Sequence, residues 1–365
     1  MFHNTDLLLL IFSLFSTFYI FIILLIVKGL LSLKNESCET TPYISIVIPA
    51  RNEEKRIKPT LQSLELINYP ENLFEVILVD DASEDNTVNV IRSFVDKHQN
   101  WTLIERKEKS DKFHAKKSAL HEAIQLAKGE LIFTTDADCE VSADWLSIMS
   151  CYFKENVSMV LGHSNLKTGS RFLHFDNFFS SIVAAAPTKL GFPISSVGRN
   201  MAFKKSTYQQ VGGYMALTNF KSGDDIHLTE RFRMKTDTKI DYCAHHKTVT
   251  LSMPPATLKE IINQQIRKNS KILNKSFSSA SFSVILFFIY NLMLFYPLFR
   301  PQQLDLWLSI TALRLLIEFI ALTIASFKFR LKFLIPWFPL FQIFYPLYLM
   351  IMGIIGSLHL YKWKQ

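Results

Sequence analysis

Hydrophobic residues form long uncharged runs at the two ends of the chain and only short runs in between. The first long run, residues 7–27, carries no charge over 21 positions. At a rise of about 1.5 Å per residue, such a helix crosses the roughly 30 Å apolar core of a bilayer. A signal peptide would need a basic stretch before the run, whereas residues 1–6 contain no Lys or Arg and Lys28 follows it. The pattern favours an uncleaved membrane anchor over residues 7–31, behind a short tail at residues 1–6.

Three further apolar runs, residues 280–299, 304–327 and 333–361, predict a C-terminal bundle of about three membrane segments. The middle run contains Arg314 and Glu318, whose i,i+4 spacing allows one helix to pair them. We expect this pair to pack helices together rather than to mark an ion path. The last run has three prolines in its first half, so it predicts either a full span or a broken, re-entrant segment.

The residues between the anchor and the bundle have mixed composition and short β-branched runs, which are typical of strands buried on both faces. The predicted elements are, in chain order, a strand (44–50), a helix (51–67), a strand (75–81), a helix (from 83), a helix (114–128) and a strand (131–138). Glu53 and Glu54 would fall in the first turn of the first helix, where the helix dipole favours acids. Strands that alternate with helices in this way predict an α/β domain with a mainly parallel sheet.

The composition narrows the class of protein further. Hydrophobic residues make up 49% of the 365 and charged residues 20%, with 11 Gly and 13 Pro, which excludes disordered, collagen-like and low-complexity chains. The four cysteines form no C-x-x-C pair, which argues against a zinc ribbon or a disulfide scaffold. The net charge of +8 is explained by Lys and Arg that flank the apolar runs, so no nucleic-acid partner is expected.

Basic residues near the ends of the membrane segments predict the orientation of the polar domain. These residues are Lys28, Lys34, Lys268, Lys271, Lys275, Lys328, Arg330 and Lys332. All of them lie on one side of the membrane if the polar domain is cytoplasmic, whereas Lys362 and Lys364 lie on the other side if the last run spans. The chain is therefore expected to be a multi-pass integral protein of the cell or inner membrane.

Polar side chains gather at the ends of the predicted strands, where parallel sheets bind ligands. Arg51 follows the first strand, Asp80 and Asp81 end the second, and Asp136 and Asp138 end the third. Neither G-x-G-x-x-G nor G-x-x-x-x-G-K-[ST] occurs, which argues against a dinucleotide oxidoreductase and a P-loop nucleotidase. Two carboxylates at i and i+2 suit Mn2+ or Mg2+, which prefer oxygen ligands and bridge carboxylates to phosphates.

An ordered set of motifs resembles the family 2 glycosyltransferases. The motifs are PARNEE (49–54), VDDASEDNT (79–87), a Lys-x-x-Ala-Leu helix, AKGELIFTTDADC (127–139) and SGDDIHL (222–228). They are most similar to the membrane-integrated branch, which includes cellulose, hyaluronan and poly-N-acetylglucosamine synthases and ceramide glucosyltransferase. The likeness covers about residues 42–270. It implies a GT-A nucleotide-diphospho-sugar transferase domain over 42–255, an amphipathic interfacial helix over 256–279 and a hydrophobic bundle over 280–361.

The resemblance also implies the roles of residues on the donor side. The residues that would hold the nucleotide sugar are Pro49, Arg51, Glu53, Asp81, Lys116, Asp136 and Arg267. Asp138, together with Asp136, would bind Mn2+ or Mg2+, and Cys139 would be a packed side chain rather than a nucleophile. Asp80 would either fix the turn or touch the ligand. The expected donor is a UDP-sugar rather than a GDP-sugar.

On the acceptor side, the resemblance implies that Asp225 is the general base that takes the proton of the acceptor hydroxyl. The other acceptor-side residues would be 198–202, 211–214, Asp224, Gln264 and Gln265. Asp224 would raise the pKa of its neighbour by like-charge repulsion. Lys268 stands where long-chain synthases of this family have the Trp of Q-x-x-R-W, so an aromatic platform for the acceptor sugar is missing.

These expectations describe a membrane-bound inverting glycosyltransferase that acts on a lipid or lipid-linked glycan acceptor. A processive polysaccharide synthase and a polyprenyl-phosphate sugar transferase are the alternatives of the same class, and the second needs no base for a neutral hydroxyl. A transport or scaffold subunit with a degenerate nucleotide domain is an alternative of another class. The intact Asp138 and Asp225 argue against it.

Overall fold

The chain is divided by its contacts into an α/β unit, Leu33–Pro254, and a helical unit made of Met1–Ser32 and Pro255–Gln365. The structure is a computed structural model that describes residues 4–107, 115–154, 156–217, 223–255, 257–270 and 277–357.

The α/β unit contains ten described strands in two sheets. The strands are β1 (Ile44–Ala50), β2 (Phe74–Asp81), β3 (Trp101–Arg106), β4 (Leu131–Thr134), β5 (Cys139–Glu140), β6 (Val157–Gly162), β7 (Ser164–Leu166), β8 (Met201–Lys204), β9 (Lys239–Cys243) and β10 (Thr250–Ser252). The larger sheet has the order β3-β2-β1-β4-β8-β6-β9, and the smaller one has the order β5-β10-β7.

Four of the six strand pairs in the larger sheet are parallel, as the alternating pattern predicts. β3, β2, β1 and β4 run in the same direction, whereas β8 lies antiparallel between β4 and β6. Ile44, Ile46 and Ile48 of β1 are fully buried, because helices cover both faces of the sheet. Each such side chain contributes roughly 1.5–3 kcal/mol through burial. Pro49 lies beyond the last β1–β4 pair, Val47 and Thr134, so its missing N–H does not interrupt that ladder.

Seven helices cover the sheets of this unit. They are α2 (Ile57–Glu65), α3 (Thr87–Val95), α4 (Ala115–Leu126), α5 (Trp145–Ser150), α6 (Arg171–Lys189), α7 (Lys205–Gln210) and α8 (Asp224–Lys235). The helical unit contributes α1 (Asn4–Leu31), α9 (Leu258–Ser270), α10 (Phe277–Phe299), α11 (Leu304–Lys328) and α12 (Phe338–Ser357).

The first predicted helix begins later than the sequence pattern indicates. The expectation that it starts at Arg51, with Glu53 and Glu54 in its first turn, is wrong, because α2 starts at Ile57. Asn52 has φ +52°, a left-handed conformation that Asn tolerates but a helix does not contain. α3 likewise starts at Thr87, after a turn in which Asp85 Oδ1 accepts from the Thr87 N–H at 3.0 Å. Both motifs are therefore loops at the sheet edge.

The N-terminal linker of the α/β unit is tied to the end of α5. A disulfide joins Cys38 to Cys151, the Lys154 ammonium pairs with Glu36, and the Tyr152 hydroxyl donates to the Lys34 carbonyl at 2.9 Å. The sequence predicted no disulfide scaffold, and this one bond has no sequence signal, because its partners are 113 residues apart and only the fold brings them together.

In the helical unit, three described segments are long and apolar enough to cross a membrane: Leu7–Leu31, Pro301–Lys328 and Lys332–Met352. Within α10, the segment Phe288–Phe299 is a shorter apolar stretch. α1 packs against α10 and α11, and α9 packs against α12.

The charged pair predicted on the third apolar run lies inside this helical unit. Arg314 Nε is 3.7 Å from Glu318 Oε1 on α11, and both side chains are buried. The Tyr19 hydroxyl of α1 donates to the same Glu318 oxygen at 2.9 Å, and the Arg314 guanidinium lies over the Tyr290 ring of α10. The pair thus connects three helices, which is the packing role expected of polar groups in such bundles.

Candidate active site

The loops that follow β1 and β2 are joined by hydrogen bonds at the carboxyl edge of the sheet. Asn52 Oδ1 accepts from the Glu84 N–H at 2.9 Å, and the Asn52 N–H donates to Ser83 Oγ at 2.9 Å. The Glu53 N–H donates to Thr87 Oγ1 at 2.8 Å. The predicted nucleotide-pocket residues of the first motif are therefore held by the second motif.

At the end of β2, the two aspartates have different partners. Asp80 Oδ2 accepts from the Ser83 N–H at 2.9 Å, so it fixes the turn. Asp81 is buried and its Oδ1 is 2.5 Å from Arg106 Nη1. Arg106 ends β3 and is in register with Asp81, and its Nη2 also donates to Ser118 Oγ at 2.7 Å. The carboxylate predicted to line the nucleotide pocket is thus positioned by an arginine.

Beyond the end of β4, the Asp-x-Asp motif lies in a turn rather than in the strand predicted over 131–138. The Cys139 N–H donates to the Asp136 carbonyl at 3.1 Å and closes this turn. One ligand atom each from Asp136, Asp138 and Cys139 lies within 4.8 Å of the others. Burial, aided by the two carboxylates, raises the pKa of the Cys139 thiol well above its ordinary value. A protonated thiol is a poor ligand, so Asp136 and Asp138 are the residues that fit a hard cation such as Mn2+ or Mg2+.

Lys116 extends from the first turn of α4 toward this motif. Its Nζ is 2.5 Å from Asp136 Oδ1, and its side chain is 47% exposed. Lys116 is within electrostatic reach of Asp136, Asp224 and Asp225, so the acids of the β4 turn and those of α8 belong to one site.

α8 provides the second acidic pair. Gly223 precedes the helix with φ +90°, and Asp224 and Asp225 occupy the first helical turn. Asp225 Oδ2 accepts from the Gly198 N–H at 3.1 Å. A Cβ at position 198 would lie 3.2 Å from the Asp225 Cβ, so a glycine allows the backbone to approach the carboxylate.

Residues near Gly198 on the predicted acceptor side are structural. The Asn200 side chain accepts from Trp145 Nε1 at 2.9 Å and donates to the carbonyls of His163 and Thr248 at 2.6 and 2.7 Å. Arg199 Nε donates to Ser164 Oγ at 2.5 Å. These buried contacts fix the segment whose Gly198 N–H meets Asp225.

The sequence pattern of the family described as Glycosyl transferase family 2 matches residues 45–185. The match runs from β1 to α6 and contains the loops after β1 and β2, Asp81, Lys116 and the Asp-x-Asp turn. Residues 45–185, less than half of the chain, therefore match a family 2 glycosyltransferase domain.

Proteins similar to this chain match over part of their lengths. Probable glycosyltransferase YdaM of Bacillus subtilis is 26% identical over 49% of this chain and 44% of its own. Beta-monoglucosyldiacylglycerol synthase of Trichormus variabilis is 29% identical over 33% of this chain and 25% of its own. Poly-beta-1,6-N-acetyl-D-glucosamine synthase of Staphylococcus epidermidis is 28% identical over 54% of this chain and 48% of its own. The chain therefore matches less than half of each of these relatives.

A solved structure supports the fold of the chain over almost its whole length. Mannosyltransferase PcManGT from Pyrobaculum calidifontis, solved in complex with GDP-Man and Mn2+, aligns with a TM-score of 0.56. The alignment covers 97% of both chains at 18% identity. Together with the mainly parallel sheet, this likeness confirms the predicted GT-A α/β fold.

Three predicted site residues lie on α9, outside the α/β unit. Gln264, Gln265 and Arg267 belong to the helical unit, where Gln265 is buried and its Oε1 accepts from the Tyr348 hydroxyl at 2.7 Å. Contact of these side chains with the donor or acceptor remains a prediction.

Two residues of the glycosyltransferase site escaped sequence reasoning, Arg106 and Lys117. Arg106 ends a strand that was not predicted, although Trp101, Thr102 and Ile104 are residue types that favour strands. Lys117 is buried beside Asp224, whereas the motif directs attention to its neighbour Lys116. No sequence signal separates the two lysines, because their burial depends on how α4 packs.

Proposed function

We propose that the chain is a membrane-bound inverting glycosyltransferase that moves a sugar from a nucleotide-diphosphate donor to the hydroxyl of a lipid or lipid-linked acceptor. The observation that carries the proposal is the meeting of two acidic pairs, Asp136 with Asp138 and Asp224 with Asp225, around Lys116. One pair suits a diphosphate with its cation, and the other offers a carboxylate to an acceptor.

The donor half of the site is built by the loops after β1, β2 and β4. Pro49, Arg51, Glu53 and Asp81 line the nucleotide side, in the order that the resemblance implies. A divalent cation held by Asp136 and Asp138 would neutralise the charge of the departing diphosphate. Lys116 adds a positive charge at the same edge, and Arg267 is assigned to this role from the motif alone.

The acceptor half depends on Asp225. As the acceptor oxygen attacks the anomeric carbon, the Asp225 carboxylate takes the hydroxyl proton, and the bond between that carbon and the diphosphate oxygen breaks. A single displacement of this kind inverts the anomeric configuration. The Gly198 N–H donates to Asp225 Oδ2 and helps to orient this carboxylate.

Apolar helices and a basic amphipathic helix support a membrane acceptor. The described helices include three that are long enough to span, and α9 carries Arg267 and Lys268 in its last turn. Such a helix lies in the headgroup region with its basic side chains toward phosphate. A relative named as a diacylglycerol-linked glucolipid synthase supports the same acceptor class.

The second candidate is a processive polysaccharide synthase, which the match to a poly-N-acetylglucosamine synthase supports. The length of the product distinguishes the two functions. Lys268 replaces the Trp that would stack on a growing chain. Mass spectrometry of products made in membranes is expected to detect one or a few added sugars. A ladder beyond about ten sugars, too long for acceptor release after every transfer, would favour the synthase.

The donor is proposed to be a UDP-sugar rather than a GDP-sugar. Purified protein in detergent, incubated with a panel of both and with Mn2+, is expected to release UDP. Release of GDP alone would show that the nucleobase of the donor is guanine, without changing the class of reaction. No release of nucleotide from any donor would contradict the proposed function.

The α/β unit is proposed to face the cytoplasm, because the basic residues that flank the apolar helices would then lie inside. The Cys38–Cys151 disulfide argues against this orientation, because the cytosol keeps thiols reduced. Labelling of intact cells with a membrane-impermeant maleimide, after reduction, decides between them. Protection of Cys38 in cells and labelling after lysis are expected, whereas labelling in intact cells would place the unit outside.

A further inference from the structure

Two consecutive lysines of α4 have different environments. Lys116 is 47% exposed and reaches Asp136, whereas the Lys117 side chain is 1% exposed. Neighbouring residues on a helix point about 100° apart, so the two ammonium groups face different parts of the site. Lysine is almost never fully buried unless it is paired, so the position of Lys117 requires an explanation.

The partners of Lys117 lie on both sides of residues 218–222, just before and at the start of α8. Its Nζ donates to the Leu217 carbonyl at 2.9 Å and is 3.4 Å from Asp224 Oδ1. Among the described residues, Asp224 Oδ1 is buried and makes no hydrogen bond, so the Lys117 ammonium provides its charge compensation.

Other titratable groups near the acidic turn are Lys116, His227 and Tyr214, each of which interacts electrostatically with Asp224 and Asp225. Further contacts fix the rest of α8. Arg231 Nε and Nη2 donate to the Val211 carbonyl at 2.8 and 2.6 Å, and the Gly198 N–H donates to Asp225. Arg231 anchors the middle of the helix. Lys117 is the buried cation that faces its first turn, where Asp224 and Asp225 stand side by side.

We infer that Lys117 is a positioning residue for the reaction: it holds the first turn of α8 and offsets the charge of Asp224, so that Asp225 stays ionised and oriented toward the acceptor. Two adjacent carboxylates repel each other, and a nearby cation offsets this repulsion. Lys117 therefore acts through Asp224 and touches no substrate. The inference rests on the proposed role of Asp225 as the general base.

The test compares pH profiles of kcat/KM for the wild type, Lys117→Met and Lys205→Met. Lys205→Met is the matched control, because Lys205 Nζ donates to the Gln125 and Ala127 carbonyls and contacts no carboxylate of the site. In Lys117→Met, we expect the acid limb to move up by about one pH unit, a shift typical of a lost charge partner. We also expect kcat to fall by about tenfold or more through misplacement of the base. The KM for the donor should stay within about twofold of the wild-type value, because Lys117 makes no contact with the donor in this proposal.

An unchanged acid limb in folded Lys117→Met, or a loss confined to the donor KM, would overturn the inference. If Asp225→Asn keeps full activity in the same assay, the proposed base is wrong instead, so the two failures are distinguishable.

A second pair of variants keeps the test decisive if Lys117→Met does not fold. Asp224→Asn removes the neighbouring negative charge and is expected to move the acid limb down. Adding Lys117→Met to Asp224→Asn removes one positive charge as well and should return the limb toward the wild-type position. If the acid limb of the double variant lies at the same pH as that of Asp224→Asn, the role assigned to Lys117 is contradicted.

Discussion

The two acidic pairs of the site look alike in the sequence but are built differently. Asp136 and Asp138 lie in a turn after a parallel strand, close to each other and to a buried thiol. Asp224 and Asp225 lie in the first turn of α8, where one carboxylate faces a buried lysine and the other accepts from a glycine N–H. The first pair converges on one point, as a cation site requires, whereas the second separates its two carboxylates and assigns each its own partner.

The comparison indicates that the chemistry of a carboxylate depends on its surroundings. α4 supplies one lysine to each pair, Lys116 to Asp136 at the exposed edge and Lys117 to Asp224 in the interior. In the proposed mechanism, the exposed lysine exchanges its carboxylate for a diphosphate, while the buried one stays in place. We therefore propose that the turn after β4 serves the donor and α8 the acceptor.

Removal of the divalent cation tests the first pair and has the largest expected effect. EDTA should abolish sugar transfer, and Mn2+ should restore it, because the diphosphate cannot leave without charge compensation. Asp138→Ala should lower the rate by about two orders of magnitude or more, as for other electrostatic catalytic groups. Nucleotide release in detergent measures both.

Glu140→Gln is the matched control for Asp138, because Glu140 is paired with Lys167 at 2.6 Å and lies outside the acidic cluster. It should keep the metal dependence of the wild type. Undiminished turnover in EDTA would remove the distinction between the two pairs.

Asp225→Asn tests the second pair. The amide keeps the shape and the contact with the Gly198 N–H but takes no proton, so transfer to a hydroxyl should fall by about a thousandfold. Transfer is followed by mass spectrometry of the glycosylated acceptor. A loss of less than about tenfold would indicate an acceptor that needs no base, such as a polyprenyl phosphate.

Lys116→Met sharpens the comparison by removing the exposed lysine of the donor side. We expect the KM for the nucleotide sugar to rise by about tenfold, the value of a hydrogen bond to a charged group. The acid limb of the pH profile should move less than in Lys117→Met. An effect on kcat alone would show that Lys116 serves the acceptor half instead.

Gly198→Ala has the smallest expected effect. The added Cβ would come within 3.2 Å of the Asp225 Cβ, so the base must shift by a few tenths of an ångström. A reduction of kcat by about fivefold follows, since misplacement by a full ångström costs about a hundredfold. Steady-state kinetics at saturating donor measures it, and a rise in donor KM would contradict the assignment of this side to the acceptor.

Sequence reasoning predicted the parts of the site that depend on chain-local patterns. β1, β2 and β4 are continuous apolar runs, and Asp81, Asp136 and Asp138 follow or end them as expected. The antiparallel β8 was not predicted, because its four residues carry no pattern that sets strand direction. Helices α2 and α3 begin late, since Asn52 and Asp85 hold turns whose geometry depends on contacts between the two loops.

The parts that depend on packing between distant segments could not be predicted. Arg106 meets Asp81 through the register of β3 with β2, and Lys117 is buried where α4 packs against the 3-10 helix Gly213–Leu217. Cys38 and Cys151 are brought together across 113 residues. Each of these contacts joins segments that are distant in the sequence, and no sequence pattern links the two segments.

The division of labour between the two acidic pairs is tested most directly by calorimetric titration of Asp138→Asn and Asp225→Asn. The titrant is the nucleoside diphosphate, UDP or GDP, that binds the wild-type protein in the presence of Mn2+. We expect Asp225→Asn to keep the wild-type Kd within about twofold. Asp138→Asn should raise the Kd by about tenfold or more, which corresponds to the loss of one charged contact. Equal loss of affinity in both variants, or loss in Asp225→Asn alone, would contradict the assignment of the turn after β4 to the donor and of α8 to the acceptor.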